Sequence, residues 1–105
     1  MSAEKGPVKL LLTWDMIQGR EQEYFEFLVR EFVPGIQSLG IQPTEAWFTT
    51  YGSGPQMVTG GVADDFRSMQ RALSSKEWEE LSERLQGYVS NFTLKVVRAT
   101  GGFQI

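Results

Sequence analysis

Val8-Lys9-Leu10-Leu11-Leu12-Thr13-Trp14-Asp15-Met16 is the stretch on which the fold turns. Val8, Leu10, Leu12, Trp14 and Met16 recur at every second residue, the period of a strand whose side chains point alternately to two faces. The other face, Lys9, Leu11, Thr13 and Asp15, is mixed: too apolar to be left in water and too polar to be an ordinary core. Upstream of this strand lies only Pro7 and a polar start, Met1 to Gly6, which reads as flexible.

Downstream, Gln18 and Gly19 turn the chain into a helix from about Arg20 to about Leu39, with Glu21 and Glu23 at the positive end of its dipole. Phe25, Leu28, Val29, Phe32, Ile36 and Leu39 form its apolar stripe, while Phe27 falls among Glu23, Glu26, Arg30 and Glu31 on the outer side. Pro34 lacks a backbone donor and predicts a kink in the last turn. Gly40 ends the helix, and Thr44 to Tyr51 is rich enough in β-branched and aromatic residues to be a strand, with Glu45, Trp47, Thr49 and Tyr51 on one face. Gly52-Ser53-Gly54-Pro55 makes a hairpin with a strand from Gln56 to Val62, in which Gly60 and Gly61 predict a bulge or a close approach to the backbone. Asp64 is a cap for a short helix carrying Phe66, Met69 and Leu73. Ser74 with Glu77 has the capping-box pattern of a second piece with Trp78, Leu81, Leu85, Tyr88 and Val89. A last strand, Phe92 to Ala99, precedes the tail Thr100 to Ile105.

The order is βαββαβ. It predicts one α+β domain over residues 1–105, ferredoxin-like, with a four-stranded antiparallel sheet and the helices on one face. The face left uncovered, Lys9, Leu11, Thr13 and Asp15 or else the set with Trp14, then calls for a second copy of the sheet.

With 105 residues, 41% of them hydrophobic, the chain has enough apolar surface for one core. Thirteen acidic against ten basic residues, scattered along the chain, offer no basic tract for nucleic acid. No apolar run approaches the roughly 20 residues a membrane helix needs, and the start has no signal-peptide stretch, so a cytoplasmic protein is expected. Cysteine and histidine are both absent, which removes thiolate nucleophiles, Ser-His-Asp triads, Cys or His zinc sites and His-ligated haem. No cofactor or metal is expected, and any general base must be Asp, Glu, Lys or Tyr.

Gln18-Gly19 leading into an acidic-aromatic helix, Trp47, Thr49 and Gly52 before the hairpin, and Asp64-Asp65-Phe66, Ala72-Leu73 and Trp78 in the second helical region resemble the dimeric α/β-barrel superfamily. Within it the likeness is to NIPSNAP-like proteins and their small bacterial relatives, over most of the chain. Relatives often have Pro where this chain has Gln18, and Gly19 still supplies the turn. The resemblance implies a homodimer whose two sheets close one barrel, with pockets in some relatives for small aromatic or polyketide-like molecules. Cofactor-independent monooxygenases, lactone isomerases and haem proteins share the fold, so fold alone does not select a function.

Trp14, with Trp47, Thr49 and Tyr51 on one face of the second strand, forms the candidate ligand-binding group, since an apolar wall with a few polar tips is what small-molecule sites present. The competing reading is that both tryptophans are core. Asp15, at the end of the first strand, is the candidate base, against the plainer role of a solvated strand end. Three functions follow: a homodimer binding a small apolar or aromatic metabolite, a cofactor-independent monooxygenase or isomerase, or a dimeric interaction protein with a filled barrel. If a site exists, it is expected between the sheet and the kinked first helix.

Overall fold

The computed structural model describes residues 6–48 and 57–98, the side chains of residues 45–48 excepted. Strand β1 (Val8–Met16) is flanked on both sides in an antiparallel sheet of order β2-β3-β1-β4, with β2 at Gln42–Phe48, β3 at Met57–Ala63 and β4 at Val89–Arg98. The β1 alternation works as its sequence dictates: Val8, Leu10, Leu12 and Trp14 are buried beneath the helices. Lys9, Leu11, Thr13 and Asp15 occupy the opposite face with Val58, Val62, Thr93, Lys95 and Val97 in register across it. The domain is thus α+β with all its described helices on one face, and among the described residues no helix is long and apolar enough to cross a membrane.

The first helical arm departs from its expected form. It consists of α1 (Glu21–Phe27), a π-helical turn over Leu28–Phe32 and α2 (Val33–Ser38). The Val33 N–H reaches back five residues to the Leu28 carbonyl. Pro34 accounts for the turn: in an unbroken α-helix it could not donate, and its ring would collide with the Arg30 carbonyl. The wider turn just before it avoids both, and Pro34 sits in the first turn of α2, where no donor is required.

One extra residue in the turn rotates everything before it by about 100° relative to a continuous helix. The expected stripe is therefore right after the turn and off by one before it. Phe32 and Ile36 are buried as predicted, but Tyr24 and Phe27 take the inner places, while Phe25 is 49% and Val29 68% exposed. Phe27, predicted on the outer side, lies against Phe32 and Tyr88 with the Arg84 guanidinium over its ring.

The second arm shows smaller shifts. Asp65, rather than Asp64, caps α3 (Phe66–Leu73), its carboxylate accepting from the Ser68 N–H at 2.7 Å. Ser74 closes α3, so Ser75, rather than Ser74, caps α4 (Lys76–Gln86) by accepting from the Trp78 N–H. Tyr88 and Val89 were expected on this helix; α4 instead ends at Gln86 with Gly87 as its cap, and β4 begins at Val89, three residues early. A register shift between Thr13 and Asp15 of β1 accommodates the early start, with Asn91 at φ 55°. Gly35 holds the arms together: a methyl group there would lie 2.5 Å from a Leu81 Cδ.

Candidate ligand cavity

Between β1, β3 and the first helical arm lies a partly enclosed cavity of about 210 Å³. Its floor is Leu10, Leu12 and Trp14 of β1 with Met57 of β3, and its roof is Leu28, Phe32, Val33 and Ile36. The rim carries Pro43, Thr44 and Thr59, half-buried or exposed. Among the described lining residues, none is charged and the hydroxyls are threonines at the rim.

Two irregularities, each of one extra residue, face one another across this space. The roof is the π turn. At the other wall, Pro43 pairs with Gly61 and Ala46 with Thr59, so Thr44 and Glu45 together oppose Gly60, a bulge in β2. Gly60 and Gly61 serve both sides of the expectation raised by the sequence. A methyl group on Gly61 would lie 2.5 Å from Ile41 Cγ2, and one on Gly60 would meet the Leu10 carbonyl at 3.0 Å and Thr44 Oγ1 at 3.1 Å.

Trp14 is fully buried and its polar edge is engaged. The indole Nε1–H donates to the Tyr24 hydroxyl at 2.9 Å, and the ring stacks on Phe92 and meets Phe32 edge-on. Burial pushes the Tyr24 phenol above its ordinary value of 10.0, partly offset by the bond from Trp14, so it stays neutral at ordinary pH. Trp14 is thus core and cavity wall together.

Asp15 is on the opposite face of the sheet, where its carboxylate accepts from Asn91 Nδ2 at 2.8 Å. Trp47 stands in β2 paired with Val58, whereas Trp14 is paired with Met57, so the two tryptophans hold alternate register positions. Thr49 and Tyr51 lie outside the described residues. Sequence reasoning passed over Leu28, Val33, Pro43 and Met57 as lining residues. Pro34 signals a break in the roof, but which of its neighbours face inward depends on the extra residue of the turn, which apolar spacing does not reveal.

No known family profile matches the chain, and no curated protein does either. Solved structures with the same fold are found. An ethyl tert-butyl ether D (EthD) family protein from Bacillus halodurans is 16% identical with a TM-score of 0.71, over 90% of this chain and 99% of its own. A NIPSNAP family protein from Agrobacterium tumefaciens is 11% identical with a TM-score of 0.71, over 98% and 94%. A Bacteroides fragilis protein described as dimeric, ferredoxin-like and of unknown function is 13% identical with a TM-score of 0.59, over 90% and 98%. At these identities the likeness is one of fold: the chain has the ferredoxin-like fold of NIPSNAP and EthD family proteins.

Proposed function

We propose that this protein is a homodimeric binder of a small, largely apolar molecule, held in the cavity between β1, β3 and the π turn. The observation that carries the reading is that cavity, walled by a helical insertion on one side and a strand insertion on the other. Both kinds of irregularity are over-represented at functional sites. An engineered apolar cavity of about 150 Å³ holds benzene, which sets the size class at one substituted ring.

Binding is favoured over catalysis because the described lining residues include no Asp, Glu, Lys or Tyr to move a proton, and Asp15 is on the other face of the sheet. The dimer is supported by the apolar content of the open sheet face and by the dimeric description of the Bacteroides fragilis protein of the same fold. Native mass spectrometry of freshly purified protein tests both parts, since it reports subunit number and any carried ligand. A thermal-shift screen of single-ring apolar compounds follows, in which a ligand at about 100 times its Kd stabilises by about 2.7 kcal/mol. Absence of any shift across such a panel, with no co-purified ligand, would sink the binding reading.

A further inference from the structure

We propose, building on the reading of the cavity as a ligand site, that the first helical arm has two registers and that the second frees the Trp14 indole N–H for a ligand carrying a hydrogen-bond acceptor. The observation is a coincidence of apolar side chains one residue apart. Converting the Leu28–Phe32 π turn to α geometry removes one residue from the path between α1 and α2. Each residue before the turn then moves into the place of the one preceding it, a rotation of about 100°. Phe25 takes the place of Tyr24, Leu28 that of Phe27, and Val29 that of Leu28. All three incoming residues are apolar, and two of them, Phe25 and Val29, are otherwise largely exposed on the helix surface, Phe25 with its ring against that of Tyr24. The chain thus carries a complete inner face for either register, sharing Phe32 at the end of the turn and Ile36 beyond it.

The two registers differ at the cavity. In the observed one, Tyr24 occupies the Trp14 donor, and Leu28 forms part of the roof. In the other, a phenylalanine with no hydroxyl faces Trp14, so the indole N–H is left with nothing to donate to, and valine replaces leucine in the roof. A buried donor without a partner is costly, which keeps this register minor in the empty protein. The observed register also keeps the Arg20 contacts with the Gly87 carbonyl and the Tyr88 ring. A ligand oxygen within reach of Trp14 removes the cost in the second register alone, and that differential is what shifts the population. The ligand class is accordingly a single apolar ring bearing a carbonyl or similar acceptor.

The test uses the full chain, 15N-labelled, titrated with acetophenone and with isopropylbenzene, two compounds of similar shape of which one has an acceptor. The Trp14 indole resonance is assigned by its loss in Trp14→Phe. The expected result is tighter binding of acetophenone, with a large shift of the Trp14 N–H signal and loss of the Tyr24 contact. In Phe25→Ser/Val29→Ser the second register has a polar inner face. Acetophenone affinity should then fall by about tenfold, the worth of one hydrogen bond. Isopropylbenzene affinity should hold, and Phe25→Leu/Val29→Ile should bind acetophenone as the parent does. If both compounds bind the parent equally, or the serine variant keeps its acetophenone affinity, the register switch is wrong and the cavity reading stands. If neither compound binds, the register switch is wrong, and the cavity reading is decided by the wider panel and the co-purified ligand.

Discussion

Trp14 shows how one residue can be core and site at once. Its ring is packed by Tyr24, Phe32 and Phe92, and its nitrogen is satisfied by the Tyr24 hydroxyl. Trp14→Phe should therefore cost about 1–3 kcal/mol in urea denaturation, because it leaves a buried phenol without its donor and a small gap. Tyr24→Phe in that background should cost little more, the signature of a coupled pair. The same tyrosine sets a pH dependence. Its folded pKa lies above the unfolded value near 10.0, so its contribution is fully present below that value and is lost as pH rises through the folded pKa. The parent should lose stability above about pH 10 more steeply than Tyr24→Phe in equilibrium unfolding; parallel curves would remove Tyr24 as the cause. Gly61 makes the opposite point, that a missing side chain can be the requirement. Gly61→Ala forces a methyl to 2.5 Å from Ile41 Cγ2 and 3.2 Å from the Gln42 carbonyl. It should destabilise by about 1–3 kcal/mol on the same measurement.

At the scale of elements, the π turn decides which residues are inside. An unbroken α-helix would bury Phe25 and Val29, whereas the observed turn buries Tyr24 and Phe27. Serine substitution separates the two. Phe27→Ser should cost at least about 3 kcal/mol, as removal of a buried aromatic does, and Phe25→Ser and Val29→Ser no more than about 0.5 kcal/mol each. The reverse ranking would mean an α-helix through this region. This is also where legibility in the sequence ended. The β1 period could be read from its alternating side chains, and the break near Pro34 and the close approach at Gly60 and Gly61 from the backbone properties of those residues themselves. The phase of α1 could not, because two adjacent apolar stripes satisfy the helical period and only packing against the sheet chooses between them. The site was expected between the sheet and the kinked helix, and Leu28, Phe32 and Ile36 of its roof stand in the expected stripe, whereas Val33 does not.

The whole molecule has a second sheet face, and the proposed dimer rests on it. Leu11 at the centre of β1 pairs with Gly60 on one side and Lys95 on the other, with Val58, Val62 and Val97 nearby on the same side of the sheet. The helices cannot reach these residues, because they all pack on the other face. A specific interface buries at least about 1,000 Å² in total, and a sheet face of this kind is the surface from which a two-fold pair could draw it. Lysines along the same face place charge among the valines, so a single further charge at its centre should be enough to tip the balance toward separate chains. Leu11→Lys is therefore expected to sediment as a monomer at micromolar concentration where the parent sediments as a dimer. Its far-ultraviolet circular dichroism should match the parent's, since Leu11 is no part of the buried core beneath the helices. A parent that is itself monomeric at that concentration would end the dimer proposal. A Leu11→Lys chain that remains dimeric would move the interface to another surface, with the exposed Phe25 and Val29 of the first arm the next place to test.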